Sequence, residues 1–484
     1  MRTFSLFCAA ASVLGMLVGC AAAPRGNETP SEAERRYQDK LATEKTVETP
    51  HVADVVTLKD SIDATLAHHR GLKVVQASLE ASRHDLRQAK AGWGPSVDVV
   101  GKVGANHLDN NTTRQQGSDS GMYGAHSISL TLTQPLWDGF ATRSRVRAGE
   151  ATVDAARFNV LDSATTFGLD AVTAHVDLIR RHKLVELARQ NVEQHREILA
   201  SLQERVRLGA TSQADVSQTQ GRLARALSSL EDAEASLREG EAAYTRLTGM
   251  PAPAHLEAVS MPPKEYGNLE DMLEVASREN PKINAYLAQV RTMRANHELT
   301  KAAYQPSLDL ETGPAYSDRE GPGSQWVSSF DIMGVMRWNV FSSGADVAAD
   351  KAAAARVRQA SQTVFNYADD LSLQMNDTWT RYLAAKEQQK YYEEAMGYNR
   401  QTLDAYLEQF NLGERSLLDV LDAENELFSS STQYETATGN VIVGAYTLRA
   451  LMGVLLPELG VDTRAFTDAE PDMEKQTGTK AAGV

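Results

Sequence analysis

Two stretches of the chain carry one pattern: GATSQADVSQTQGRLA at residues 209–224 and GERSLLDVLDAENELF at residues 413–428. Glycine, serine, aspartate, valine and leucine recur at the same spacing, each displaced by 204 positions. In both stretches the glycine permits the chain to reverse. The serine followed three residues later by aspartate fits the start of a helix. The same turn and helix start are therefore expected twice in this chain.

The duplication extends over most of the chain. Parts of residues 58–98 recur 211 positions later, and residues 137–249 recur 204 positions later. The difference between the two displacements falls in a loop of the second copy. We therefore predict two copies of one unit, repeat 1 at residues 57–249 and repeat 2 at residues 269–453, joined by a linker at residues 250–268.

The longest segment of each repeat has the pattern of a coiled-coil helix. Apolar residues return every seven positions, as at Leu178, Val185 and Val192, and no proline falls between residues 136 and 250. At 1.5 Å per residue the long helix would extend about 100 Å, and the two shorter helices stacked end to end would cover it. The helices of repeat 1 are predicted at about 58–92, 139–207 and 213–248.

Two runs in each repeat have the alternation of β-strands. Ile128, Leu130 and Leu132 alternate with serine and threonine, and a similar pattern runs from Phe330 to Val340. Polar segments between the runs are expected to form exposed hairpin loops. The predicted strands lie at about 96–106, 127–137, 307–316 and 328–341.

The same alternation fits either a half-buried hairpin of a soluble domain or a sheet that spans a membrane. Strands of about ten residues are long enough to cross a bilayer at a tilt, which favours the second interpretation. Four strands cannot close a barrel, and an open edge is costly in lipid, so several chains must combine. Two copies would give eight strands, and three would give twelve and room for a pore.

The first nineteen residues resemble a bacterial lipoprotein signal. An apolar run follows Arg2 and ends in Leu-Val-Gly-Cys at residues 17–20. We predict a signal peptide at residues 1–19, lipidation such as palmitate on Cys20, a tether at residues 20–56 and a polar C-terminal tail at residues 454–484. An ordinary secretory peptide with a chance cysteine is the alternative. With Cys8 removed, Cys20 would be the only cysteine, which excludes disulfides.

Composition excludes several classes of function. The formal net charge of −15 argues against nucleic acid as a partner. No phosphate-binding glycine loop, nucleophile elbow or zinc-binding motif occurs, so neither an enzyme nor a cofactor is expected. The histidines lack acidic or cysteine companions at ligand spacing, so no metal site is expected. The apolar run at Val441–Leu456 is interrupted by Arg449 and is interpreted as a core helix.

These features together resemble the TolC family of outer-membrane channel proteins over about residues 55–456. The motifs that carry the resemblance are the duplicated unit, the GxxSxxDV turns at 209 and 413, QPLWDG at 134–139 and RSLLDVLDAENEL at 415–427. The resemblance implies a mainly α fold in a homotrimer, with long antiparallel coiled-coil helices forming a periplasmic α-barrel and a shared twelve-stranded β-barrel in the outer membrane.

The resemblance also implies a functional tip at the two repeated turns. Docking of a periplasmic adaptor, the membrane fusion protein, would involve residues that also act as turn and cap residues: Leu208, Gly209, Ser212, Leu412, Gly413 and Ser416. Asp215 and Arg415 match a gate pair, and Phe410 stands where the family usually has a gate tyrosine. Asp419 and Asp422 match an acidic constriction ring; the alternative is a solvated helix face near a helix N-terminus.

The resemblance implies an exit duct of a tripartite export system, working with an adaptor and an inner-membrane transporter of the ABC or proton-driven kind. The sequence of residues 413–428 resembles that of family members that serve type I protein secretion. A lipidated Cys20, in contrast, fits drug or metal efflux channels. A periplasmic coiled-coil adaptor or structural protein is the rival from another class. The alternating strands distinguish it, since a soluble rod would need no detergent.

Overall fold

The computed structural model describes residue 35 and residues 55–107, 111–115, 122–209, 212–262, 264, 266–319 and 325–467. The predicted signal peptide, Cys20 and most of the predicted tether lie outside the described residues.

The two repeats have the same order of elements. Repeat 1 contains α1 (Leu58–His68), α2 (Arg70–Ala91), β1 (Ser96–His107), α3 (Asn111–Gln115), β2 (Met122–Trp137), α4 (Ala141–Arg207) and α5 (Gln213–Thr248). Repeat 2 contains α6 (Leu269–Glu279), α7 (Pro281–Thr300), a 3-10 turn (Lys301–Tyr304), β3 (Ser307–Arg319), β4 (Gln325–Arg337), α8 (Ala345–Leu412) and α9 (Leu417–Met452). Two short helices follow, α10 (Leu455–Glu458) and α11 (Arg464–Thr467). The sequence displacements carry the starts of α1, α4 and α5 onto those of α6, α8 and α9.

The opening helix of each repeat is broken, although the pattern predicts one helix at about 58–92. The breaks fall at His69 and Asn280, whose ψ angles are 117° and 119°. In repeat 2 the side chain of Asn280 accepts a hydrogen bond from the backbone N–H of Ile283 at 3.0 Å, and Pro281 opens the new helix. In repeat 1 the ring of His69 lies 3.8 Å from that of Phe167. Each opening segment is therefore two stacked helices.

The long helix α4 contains more buried residues than any other helix of the described fold. It packs against α2 and α7 near the sheet and against α5 and α9 farther along. Its apolar side chains join those of α1, α2 and the segment after α9 in the main core, which includes Leu72, Val160, Val172, Leu455 and Leu456. The long helix α8 is much more exposed. Its buried residues are Ala353, Leu371, Met375, Ala385 and Leu403.

A buried chain of hydrogen bonds ties α1 and α5 to α4 in repeat 1. The ring of His175 has one nitrogen 3.0 Å from the backbone carbonyl of Glu257, so this nitrogen is the donor. The other ring nitrogen therefore accepts from the Ser61 hydroxyl at 2.8 Å, and Ser61 accepts from the Tyr244 hydroxyl at 2.7 Å. All three side chains have an exposed fraction of 0%. This order of donors holds for the neutral imidazole, which burial favours by lowering the pKa of His175; the Ser61 hydroxyl also lies 3.3 Å from the Thr57 carbonyl.

The four strands form one antiparallel sheet in the order β1-β2-β3-β4. Its register places Val99 opposite Leu130 and Leu308 opposite Met336, so apolar residues of all four strands share one face. On that face Phe330, for example, is 66% exposed. The other face is mostly polar, and there Arg337 lies 2.8 Å from Asp309. The apolar face is formed by Val97, Val99, Val103, Ile128, Leu130, Leu132, Leu308, Leu310, Tyr316, Trp326, Phe330, Ile332 and Met336.

The strands differ from their predicted bounds at their ends. The pattern extends the last strand to residue 341, but β4 ends at Arg337 because its partner strand begins at Ser307, the residue opposite. Trp338 instead donates its indole N–H to the carbonyl of Tyr304 at 3.3 Å. β2 begins at Met122, five residues before the predicted start. The connection from β1, predicted to be a loop, contains the short helix α3.

The segment after repeat 2 is not a polar tail throughout. Leu455 and Leu456 are buried, Val461 is 8% exposed, and all three join the main core. Residues 468–484 of the predicted tail lie outside the described residues. The run around Arg449 is part of the core helix α9, where the guanidinium lies 2.9 Å from the Glu458 carboxylate. In the described part of the chain, no helix is both long and apolar enough to span a membrane.

Candidate gate and docking tip

The first turn joins the ends of α4 and α5. α4 ends beside Leu208, whose side chain is 67% exposed, and Gly209 follows with φ of +74°. This angle lies in the left-handed region that favours glycine. Ser212 and Asp215 then form a reciprocal capping box: the Ser212 oxygen accepts from the Asp215 N–H at 3.3 Å, and the Asp215 carboxylate accepts from the Ser212 N–H at 3.2 Å.

The second turn repeats this geometry between α8 and α9. Leu412 is 75% exposed, Gly413 has φ of +81°, and Ser416 accepts a hydrogen bond from the Asp419 N–H at 3.3 Å. The two turns therefore present the same features: a left-handed glycine, an exposed leucine before it and a capped helix after it. Leu418 adds a third exposed apolar side chain, with an exposed fraction of 47%.

Phe410 joins the two helical hairpins just above the turns. The guanidinium carbon of Arg205 lies 4.4 Å from the centre of the Phe410 ring. Arg205 also donates to the Phe410 carbonyl at 3.2 Å and to the Asn411 side chain at 3.1 Å. A cation over an aromatic ring is stabilising, most of all when partly desolvated. The ring also packs against an apolar cluster of Leu202, Val216, Leu417 and Leu421. Phe410, which lacks the hydroxyl of the usual gate tyrosine, therefore contributes apolar packing and a cation–π contact.

Arg415 of the predicted gate pair contacts its own repeat. Its guanidinium lies over the ring of Tyr406 at 3.9 Å, donates to the side chain of Gln409 at 3.1 Å and lies 3.7 Å from the Asp419 carboxylate. Asp215, the other member of the pair, is engaged in its capping box. The structure of the single chain therefore gives each residue other partners, and a bond between them stays a prediction for assembled chains.

The two aspartates of the predicted ring lie on one face of α9, a turn apart. The side chains of Asp419 and Asp422 are 43% and 57% exposed. Each faces an arginine of the same chain: Arg415 for the first, and Arg222 of α5, at 3.0 Å, for the second. The ring prediction did not anticipate these arginines, which partly offset the negative charge of the site.

A buried ionisable pair lies where α4 meets α9, and its Glu424 follows Asp422 by two residues. A ring nitrogen of His195 lies 3.0 Å from a carboxylate oxygen of Glu424, and their side chains are only 7% and 2% exposed. The ring and the carboxylate are not oriented for a hydrogen bond, so neither carboxylate oxygen of Glu424 has a hydrogen-bond partner among the described residues. Sequence reasoning missed this pair, as it missed Arg205 and Arg222, because each contact joins residues about 200 positions apart.

The family model described as outer membrane efflux protein matches residues 61–250 and 272–454, one match in each repeat. The chain belongs to the outer membrane efflux protein family. This confirms the resemblance and the outer-membrane location that the sequence predicted, and the family is one of efflux proteins rather than enzymes.

Three relatives illustrate the range of this family. Outer membrane efflux protein BepC of Brucella suis biovar 1 (strain 1330) is 22% identical over 433 residues, covering 88% of this chain and 91% of BepC. Proteases secretion protein PrtF of Dickeya chrysanthemi is 24% identical over 463 residues, covering 89% and 95%. The crystal structure of the Campylobacter jejuni CmeC outer membrane channel matches with a TM-score of 0.72 at 15% identity, covering 86% and 90%. The last similarity concerns the fold alone.

Proposed function

We propose that three copies of this chain form a closed duct through the outer membrane that continues as a helical tunnel in the periplasm. The observation that carries the proposal is the sheet. Its outer strands, β1 and β4, each pair with one neighbour only among the described strands, and its apolar face is exposed. Unpaired backbone groups cost several kcal/mol each in lipid, so the edges must pair with other chains. Three sheets supply twelve strands, enough for an open lumen.

The long helices support the tunnel. α4 and α8 have 67 and 68 residues, which corresponds to about 100 Å each at 1.5 Å per residue. The poor burial of α8 compared with α4 also supports association, because a helix of this length with so few buried residues needs a further partner. Another copy of the chain would cover it.

We assign the duct to a tripartite export system for type I protein secretion. Its similarity to a proteases secretion protein and the sequence of residues 413–428 support this cargo class. Docking of a periplasmic adaptor at the two turns is supported by the exposure of Leu208 and Leu412. An inner-membrane transporter would feed the duct through that adaptor. We also propose that Cys20 carries a lipid that anchors the mature N-terminus.

Efflux of drugs or metal ions is the second candidate. It is favoured by the similarity to BepC, whose name describes an efflux protein, and by the lipidation predicted at Cys20. A soluble periplasmic adaptor or rod is disfavoured by the exposed apolar face of the sheet. Removing the gene from its host distinguishes the cargo classes: loss of a secreted protein from the medium supports type I secretion, and increased drug or metal sensitivity alone supports efflux.

Purification tests the duct itself. We expect the mature protein to require detergent, to have the mass of three chains and to conduct ions in a planar bilayer. A protein that stays monomeric and soluble without detergent once its lipid is removed would refute the proposal. We further propose that Asp419 and Asp422 line the narrowest part of the lumen. Replacing both by asparagine should then reduce cation selectivity, whereas the control Asp63→Asn, on an exposed position of α1, should not.

A further inference from the structure

The long helix of repeat 1 has an opening-segment helix on each flank, whereas that of repeat 2 has one. α4 lies between α2 and α7, and a single crevice is lined by Ser78 of α2, Asn159 of α4 and Lys282 of α7. α8 packs against α7, but in the described part of the chain it makes no comparable contact with α2. One flank of α8 and one face of α2 are therefore open at the same height in the fold.

The burial of the opening helices agrees with this asymmetry. Ala285 and Ala288 of α7 are 5% and 0% exposed, because α7 is packed between the two long helices. The displacement of 211 relates them to Val74 and Ala77 of α2. Val74 is 69% exposed and Ala77 is also exposed. The face that is covered on α7 is thus open on α2, and its small side chains permit a helix to approach closely.

An ion pair marks where this packing occurs within the chain. A carboxylate oxygen of Asp154 in α4 lies 2.9 Å from a guanidinium nitrogen of Arg291 in α7. The repeat displacements relate Asp154 to Arg358 in α8, and Arg291 to Glu80 in α2. The two charges are present again, with their signs exchanged between the long helix and the opening helix.

We propose that Arg358 of one copy pairs with Glu80 of the next copy, in the seam where α8 of one chain meets α2 of its neighbour. The inference rests on the proposed function, because it requires the repeats to alternate around a ring. Arg358 is exposed and has no ion-pair partner among the described residues. Glu80 lies 3.9 Å from His84, one turn away on its own helix, a long contact between half-exposed side chains. Both charges are available to a neighbour.

The exchange of signs makes the seam selective. If α4 packed against α2 of another copy, Asp154 would face Glu80. If α8 packed against α7 of another copy, Arg358 would face Arg291. Like charges at such a contact repel and disfavour the wrong partner. The two pairs therefore favour one order of packing, in which the flank of each long helix that carries Asp154 or Arg358 meets the opening helix of the other repeat.

Cross-linking tests the seam on the full chain. Glu80 and Arg358 are both replaced by cysteine, and a short bis-maleimide is used because these side chains span more than a disulfide can bridge. We expect covalent species of two and three chains and none larger. The control pair, Asp154→Cys with Arg291→Cys, should link only within one chain. If the first pair forms no link between chains although the protein has the mass of three chains, the proposed seam is wrong and the proposed duct is unaffected. A protein of one-chain mass would overturn the proposed function.

Charge reversal is an independent test. Arg358→Glu and Glu80→Arg should each lower the temperature at which the three-chain assembly dissociates in detergent, and the double variant should recover most of the loss. The loss should shrink in concentrated salt, which screens exposed charges. Arg400→Glu is the control, because the counterpart of this residue in repeat 1 is Arg196, whose ion-pair partner among the described residues is Glu193 of its own helix. Single reversals without effect, or losses that add in the double variant, would contradict the pairing.

Discussion

Equivalent positions in the two repeats are filled with opposite chemistry. In repeat 1, Ser61, His175 and Tyr244 form a fully buried chain of hydrogen bonds. The displacements relate them to Met272, Trp379 and Leu448 of repeat 2, which belong to an apolar cluster. The helices around the two sites begin at corresponding residues, so the backbone arrangement does not depend on which solution is used.

The linker explains why the polar solution exists in repeat 1. The backbone carbonyl of Glu257 enters the buried site, and a buried carbonyl must accept a hydrogen bond. His175 supplies the donor to this carbonyl. Ser61 then donates to the other ring nitrogen of His175, and Tyr244 donates to the Ser61 hydroxyl. The two repeats therefore keep the same helix starts, while the buried contacts of repeat 1 adapt to the carbonyl that the linker places there.

The largest expected effect comes from placing the repeat 2 residue into the repeat 1 site. Ser61→Met adds volume to a fully buried position and deprives His175 and Tyr244 of their partner. Overpacking and unpaired polar groups each cost about 1–3 kcal/mol, so we expect a loss of about 4 kcal/mol in the free energy of unfolding. Urea unfolding in detergent, followed by circular dichroism, measures it.

A second variant places all three apolar residues of repeat 2 into the repeat 1 site. The triple variant Ser61→Met, His175→Trp and Tyr244→Leu removes the hydroxyls and the imidazole, and leaves the Glu257 carbonyl and the introduced indole N–H as the polar groups of the site. We expect it to recover about half of the loss, since about 1–3 kcal/mol remains for the unpaired carbonyl. A triple variant as unstable as the single one would show that the two sites are not interchangeable.

A smaller effect is expected from a truncation in repeat 2. Leu448 is 2% exposed within the apolar cluster. Leu448→Ala leaves a cavity that is not offset by any polar contact, and we expect a loss of about 3 kcal/mol. Met261→Ala, at a linker side chain that is 44% exposed, is the control and should change the unfolding free energy by less than about 0.5 kcal/mol. Equal losses in both would contradict the assigned core.

Removing one hydroxyl should have a still smaller and local effect. Tyr244→Phe keeps the ring but takes away the proton that Ser61 accepts, at a cost of about 1 kcal/mol. Hydrogen exchange should become about fivefold faster in α1 and stay unchanged in α6, because only repeat 1 contains the polar chain. Tyr391→Phe, at a ring that is 59% exposed, should alter neither helix. Equal acceleration in α1 and α6 would mean that the hydroxyl acts globally.

The last prediction concerns the loss of stability that protonation of His175 causes below neutral pH. Burial lowers the pKa of His175 below its ordinary value, and the Glu257 carbonyl opposes this in part. The unfolded chain therefore binds the proton first, at a pKa of about 6.5. Stability contributed by neutral His175 is complete above that pH and is lost as the pH falls towards the lower folded value. Unfolding midpoints of the normal protein and of His175→Gln, compared from pH 7.5 to 5.5, should show a steeper loss in the normal protein.

The sequence predicted the features that depend on local pattern. Ser212 with Asp215 caps a helix, Gly209 and Gly413 have positive φ, and the alternation around Ile128 lies on an exposed apolar face. The positions of the docking, gate and ring residues in an assembled channel stay predictions.

What the sequence did not predict depends on distant contacts or on single side chains. Arg205 with Phe410 and Arg222 with Asp422 are each joined across about 200 residues, and no spacing rule reports such pairs. His69 breaks a helix although histidine is not a helix breaker by itself; the Phe167 ring from α4 lies against it there. Val461 was assigned to a polar tail, although it packs in the main core.

Each outer strand of the sheet has one edge without a partner among the described strands, and this matters in cells that make two forms of this protein. In a closed ring, the β4 edge of each chain would be the only surface on which the β1 edge of another could end. A chain whose β4 is damaged would then leave its neighbour's first strand exposed to lipid. One faulty member would disable two intact ones, so such alleles should be dominant when both forms are made in equal amounts.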